Sequence, residues 1–135
     1  MINKKYILLI IVSTIFLLSG CTYGSFTALK AVEKNAPSVM SMSYERFSGY
    51  KATSIKVKEG SPADVNVVIV SKKGKLDMTI TDEKGHSVYE GKDIPTSSFS
   101  VKIHESGEYK IKVSGKKHSG SYKITWGKAS EDNEK

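Results

Sequence analysis

The sequence is short of cysteine, arginine and helical periodicity, and each shortage excludes a class of function. Cys21 is the one cysteine among 135 residues. The chain that follows it therefore holds no internal disulfide, no zinc site built on several thiolates and no Cys-x-x-Cys redox pair. Arg46 is the one arginine, and every other cation is a lysine. Lysine is a strongly hydrated point charge, whereas base-edge reading and bidentate phosphate binding favour arginine, so nucleic acid is not an expected partner. The chain has no Gly-x-Ser-x-Gly elbow, no Gly-x-Gly phosphate loop, and no His-x-His or His-x-x-x-His pair. His86 in a hairpin, His104 on a strand and His118 in a Gly-flanked loop are read as exposed turn and surface residues. Asp77, Asp82 and Glu83 lie near one hairpin but lack calcium-loop spacing, and Lys75 and Lys84 flank them. Asp82 is expected to cap a turn by accepting backbone amides before Gly85. No catalytic residue, no metal site and no enzymatic activity are expected.

What is present begins at the N-terminus. Asn3, Lys4 and Lys5 precede a run from Tyr6 to Leu18 that is apolar apart from Ser13 and Thr14. As a helix this run spans only ~20 Å, too short for a hydrocarbon core of ~30 Å, so a removable signal is favoured over a permanent span. The run Leu18-Ser19-Gly20-Cys21 resembles the lipobox of bacterial lipoprotein precursors. The resemblance implies that residues 1–20 are a signal helix removed from the mature protein. It also implies that the Cys21 thiol carries a diacylglycerol, the only group of cofactor kind expected. Two acyl chains give stable anchoring, at ~0.8 kcal/mol per buried CH₂. The expected location is the extracytoplasmic face of the cell membrane, lipid-anchored.

Without residues 1–20 the chain has 115 residues and a net charge of +5, since two of the 21 basic residues and none of the 14 acidic ones lie in that segment. That is one domain's length. Residues 21–37 are expected to be the lipidated N-terminus and a tether, with at most a brief helix over Ala28–Lys34 stopped by Pro37. Residues 129–135 are expected to be a disordered tail. Between them, 38–128 alternates apolar and polar residues with turns every eight to twelve positions. This pattern predicts an all-β, antiparallel, jelly-roll-like β-sandwich of seven or eight strands, expected as a monomer. Met40, Met42 and Tyr44 alternate with serines. Val65–Val70 reads as a central strand covered on both sides. Lys72–Lys75 and Gly115–Gly120 read as turns. Phe99, Val101 and Ile103, then Tyr109, Ile111 and Val113, then Tyr122, Ile124 and Trp126, offer an inner face opposed to a lysine-rich outer one.

The stretch Lys75 to Tyr89, then Phe99-Ser100-Val101, Gly107-Glu108-Tyr109-Lys110-Ile111-Lys112-Val113 and Gly120 to Trp126, resembles the PPC-like and GOLD-like β-sandwich modules. The resemblance covers roughly Tyr50 to Gly127. It implies a non-catalytic accessory or interaction domain, often beside a secreted enzyme; no attached enzyme is expected in this chain.

If strands 99–104, 108–113 and 121–126 are neighbours, Lys102, Lys110, Lys112 and Lys123 share one outer face with His104 and Thr125, and Lys116 and Lys117 lie in the loop beside it. Such a face suits an anionic wall polymer or phospholipid headgroups; a solvated sheet face is the plainer reading. The expected function is a non-catalytic binding or structural module at the cell envelope. The alternative is a lipoprotein that docks or inhibits another envelope protein, as immunity proteins do.

Overall fold

The computed structural model describes residues 22–129; the signal segment, Cys21 and residues 130–135 of the expected tail lie outside the described residues. Seven antiparallel strands form a single sheet: β1 (Thr22–Leu29), β2 (Val32–Ala36), β3 (Val39–Val57), β4 (Ala63–Thr81), β5 (Ser87–Gly91), β6 (Ser97–Ile103) and β7 (Gly107–Lys128). The order is β1-β3-β7-β4-β5, with β2 also pairing β3 and β6 also pairing β4. The all-β antiparallel expectation holds.

The three long strands explain how one sheet makes a sandwich. β3, β7 and β4 lie side by side and bend together, so their first and second halves stack face to face. One layer holds β2, residues 39–44, 118–128 and 63–71, and β6; the other holds β1, residues 47–57, 107–115 and 75–81, and β5. The bend falls where the ladders slip, between Tyr44 and Gly49 in β3 and between Ser71 and Lys75 in β4. Such slips are β-bulges, which add local twist and turn a strand's direction. Lys72–Lys75 and Gly115–Gly120 are therefore corners and not reversals: Ser71 still pairs Gly120 and Lys75 still pairs Lys116 across the corner.

The inward-facing residues change parity at each corner. Met40, Met42 and Tyr44 are buried before the corner of β3, and Phe47, Thr53, Ile55 and Val57 after it. In β4 the set passes from Val65, Val67 and Ile69 to Leu76, Met78 and Ile80, and in β7 from Tyr109, Ile111 and Val113 to His118, Tyr122 and Ile124. Each slip keeps the apolar set pointing between the layers on both sides of the bend. Burial at ~1.5–3 kcal/mol per large side chain makes this the main source of stability. Val68, by contrast, is 47% exposed. Among the described residues no element packs on the outer face of its layer, so there the central strand is covered on one side only.

Residues 22–36 differ from the expected tether. They form the two strands of one edge: β1 pairs β3 from Thr22↔Thr53 to Leu29↔Arg46, and β2 pairs β3 from Val32↔Ser43 to Ala36↔Val39. The reason is the unpaired flank that β3 presents, which satisfies backbone groups that a seven-residue helix would leave half open. Between them the chain crosses from one layer to the other at Lys30, with φ of 49°.

Each edge of the sandwich is stitched across the layers. On the β1/β2 edge, Lys51 Nζ lies 2.5 Å from Glu33 Oε1 and 4.9 Å from the Phe26 ring centroid. On the β5/β6 edge, the Tyr89 and Phe99 rings sit 5.2 Å apart. The crease closes one end, while at the other the layers end in loops around 37–38, 58–62, 82–86 and 104–106.

Candidate functional site

The structure does not bring the six candidate lysines together. Lys102 on β6 and Lys123 on β7 belong to the outer face of one layer, and Lys110 and Lys112 to the outer face of the other. β6 pairs β4 and not the Gly107–Val113 half of β7, which is why the expected row of three neighbouring strands does not form. Lys112 Nζ stands 4.8 Å from the Tyr50 ring centroid. Lys116 and Lys117 sit at the crease, where Lys117 has φ of 48° and its amide donates to Ser48 Oγ at 3.0 Å.

Asp82 behaves as its turn position predicts. Its Oδ1 accepts from the amides of His86 at 2.8 Å and Lys84 at 2.9 Å. The His86 amide, more than the nearby imidazole, holds the carboxyl below the usual aspartate range. His86 and His104 are exposed. His118 is not: it is fully buried, because the parity change in β7 turns it inward.

At the crease His118 joins two residues remote in sequence. Its Nδ1 lies 2.6 Å from Tyr44 Oη and its Nε2 lies 2.9 Å from Ser71 Oγ. Burial lowers the imidazole's proton affinity and raises the Tyr44 pKa, so both groups are neutral at pH 7. Two neutral tautomers satisfy both contacts: Tyr44 donates to Nδ1 and Nε2 donates to Ser71, or Nδ1 donates to Tyr44 and Nε2 accepts from Ser71. The trio is a bolt across the bend, joining β3, β7 and β4 through side chains.

The bolt predicts a pH dependence. The folded-state pKa of His118 lies below its unfolded value of ~6.5, so the unfolded chain takes up the proton first. Stability should be flat above about pH 6.5 and fall as the pH drops below it, by at most ~1.4 kcal/mol per pH unit for one proton. Urea midpoints between pH 5 and 8 check this. The loss should vanish in His118→Gln, whose amide can accept from Tyr44 and donate to Ser71 without titrating.

Tyr122, 1% exposed, faces inward near Glu33, and its hydroxyl has no hydrogen-bond partner among the described residues. Neither the sequence spacing nor any motif marks this group or the Glu33–Lys51 pair. Among the described residues no three His, Cys, Asp or Glu side chains stand together as a metal site would need. Among them, too, no helix is long and apolar enough to cross a membrane.

The open end carries the concave surface. A cleft of about 530 Å³ lies between the first residue of β1 and the β2–β3 turn, lined by Thr22, Asn35, Pro37, Thr53, Ser54 and Trp126. Trp126, partly buried, packs on the core and its amide donates to Ser38 O at 3.1 Å. It also borders a second hollow of about 260 Å³ that Lys56, Lys58, Ser61 and Lys128 line. All three lysines are exposed. Away from this half, toward β4 and β5, the loops bring Asp82, Glu83, Glu105 and Glu108 around another hollow. The open end is therefore divided into a lysine-and-tryptophan half beside Thr22 and an acidic half beyond it.

Comparison with known proteins gives one family. The sequence profile described as emp24/gp25L/p24 family/GOLD matches residues 50–134, from the second half of β3 onward. No curated protein sequence matches the chain. Among solved structures, TmCBM61 in complex with β-1,4-galactotriose is 19% identical with a TM-score of 0.48, covering 80% of this chain and 87% of that one. The enzymatically active domain of bacteriophage CBA120 tailspike protein 4 is 12% identical with a TM-score of 0.49, covering 81% of this chain and 19% of that one. A family two carbohydrate esterase from Cellvibrio japonicus is 12% identical with a TM-score of 0.40, covering 77% and 33%. These likenesses are of strand arrangement, at identities and scores too low to transfer a ligand.

Proposed function

The chain belongs to the emp24/gp25L/p24 family/GOLD, and on that premise we propose that it is a non-catalytic binding module, lipid-anchored through Cys21 at the extracytoplasmic face of the cell membrane. One observation carries the reading. Among the described residues the sandwich begins with Thr22, the sequence neighbour of Cys21, and Thr22 lines the same cleft as Trp126. A diacylglycerol on Cys21 then places that cleft, and the lysines beside it, at the membrane side of the envelope. The local charge suits an anionic partner, whether headgroup or wall polymer.

The anchor is tested by Cys21→Ser. The wild-type protein should partition with membranes, and its N-terminal peptide should carry the mass of a diacylglycerol on Cys21. The variant should lose the acyl mass and leave the membrane fraction once processed. Acyl labelling that persists in Cys21→Ser would sink the reading.

A second reading, docking to another envelope protein, is favoured by the crossover between β1 and β2. There Leu29 and Val32 are 54% and 56% exposed, an apolar pair at the crease end. Leu29→Ser with Val32→Ser should leave membrane partition unchanged; loss of a captured envelope protein in this variant would establish the second reading.

A further inference from the structure

Resting on the lipid-anchor reading, we propose that the lysine-and-tryptophan half of the open end lies against the bilayer and binds anionic phospholipid headgroups through Lys56, Lys58 and Lys128, with Trp126 at headgroup level.

In sequence the anchor stands one residue before the described sheet. Cys21 and Thr22 are neighbours ~3.8 Å apart between Cα atoms, and Thr22 is held by its pairing with Thr53 in β3. A lipid one residue away therefore fixes which end of the sandwich meets the bilayer. At that end three exposed lysines surround one hollow, and none of them is in an ion pair among the described residues. Each lysine near an anionic leaflet is drawn to it electrostatically. An indole between them, apolar in body and with one N–H donor, is the side chain that membrane interfaces favour.

The opposing charges set the tilt. Glu59 is the acid in the turn next to Lys58, whereas Asp82, Glu83, Glu105 and Glu108 cluster on the far half. An anionic leaflet attracts the first half and repels the second, so the domain leans onto the side that already carries the anchor. Lys102, Lys110 and Lys123 on the sheet faces stand clear of this contact. A wall polymer would meet the end away from the bilayer or the sheet faces; the position of Thr22 favours the lipid.

Trp126 is the only tryptophan in the chain, so its fluorescence reports on the contact directly. The lipidated protein is reconstituted in vesicles of phosphatidylcholine, or of equimolar phosphatidylglycerol and phosphatidylcholine, each with a nitroxide on a headgroup. Trp126 should be quenched strongly on the anionic vesicles and several-fold less on the neutral ones. The difference should shrink near 1 M salt, where the Debye length is ~3 Å. The triple variant Lys56→Glu, Lys58→Glu, Lys128→Glu should abolish it. The control Lys102→Glu, Lys110→Glu, Lys123→Glu should retain it. Equal quenching on both vesicle types, or loss in the control instead of the test variant, would overturn the proposal. So would a Trp126 response to a soluble glycerol-phosphate polymer with none to lipid. If the acyl mass on Cys21 is present and quenching is absent, the headgroup contact fails while the anchor stands. If the acyl mass is absent, the anchor itself fails.

Discussion

Gly120→Ala is expected to destabilise the domain by roughly 3–5 kcal/mol, lowering the melting temperature by about 10–30 °C. Gly120 opposes Ser71 where β7 and β4 bend together, and its φ is 140°. A Cβ added there runs into the carbonyl oxygen of Val70, which is backbone and cannot swing aside. Relief requires the two strands to separate at the bend that holds Tyr44, His118 and Ser71 in contact. Gly60→Ala is the control. Gly60 also has positive φ, at 71°, but nothing lies within 4 Å of its added Cβ, so only the left-handed backbone cost of ~1–2 kcal/mol remains. Thermal melts of the two variants separate the clash from the strain: similar losses would mean that the corner is not tightly packed.

Lys51→Ala is expected to cost about 2–3 kcal/mol, below the 3–5 kcal/mol typical of breaking a fully buried pair, because Glu33 keeps some contact with water. Lys51 is 7% exposed, with its ammonium over the Phe26 ring and on Glu33 of the opposite layer. Burial by itself would raise the Glu33 pKa. The hydrogen bonds from Lys51 and Asn35, with the Lys51 charge, reverse this and hold it below its ordinary value. In wild type that contribution is present above the ordinary carboxylate pKa and is lost as the pH falls through the depressed one. Without Lys51 burial prevails, and the Glu33 pKa should move upward, as a carboxyl NMR titration would record. Lys51→Met combined with Glu33→Gln should recover most of the loss, since the stem packing returns and no charge is stranded. A double variant as unstable as Lys51→Ala would show that packing, and not the pair, holds this edge.

Much of the fold was legible because period-2 alternation is a local signal. Tyr109, Ile111 and Val113 announced a strand, and Asp82 to Gly85 announced its hairpin. The corners are legible in principle, although their glycines and lysines read as turns. The inward set runs on odd numbers through 109, 111 and 113 and on even numbers through 118, 122 and 124, with no run of turn residues strong enough to reverse the chain. A parity change without a reversal marks a bulged bend. The edge strands were not legible: Thr22–Ala36 has little pattern of its own, and its conformation is imposed by the open flank of β3. The crease trio and the Glu33–Lys51 stitch join residues 18 to 74 positions apart, so no spacing rule reaches them. The lysine face failed for the same reason, since it assumed that consecutive strands are neighbours. Trp126 packs on the inner face, as its alternation with Thr125 predicts. What the sequence did not show is that this strand ends at the open mouth, next to Thr22.

The account stands on which end of the folded sheet meets the membrane. Lys58→Cys and Lys117→Cys each give one site for a fluorescent label, because lipidation consumes the Cys21 thiol. Energy transfer from each label to acceptor lipids in equimolar phosphatidylglycerol–phosphatidylcholine vesicles then measures its height above the bilayer. With about eleven residues of β7 between the two levels, at ~3.3 Å per residue, the label at 58 should lie at the headgroups and the label at 117 some ~30–40 Å above it. Equal heights, or a crease closer to the lipid than the open end, would contradict the account.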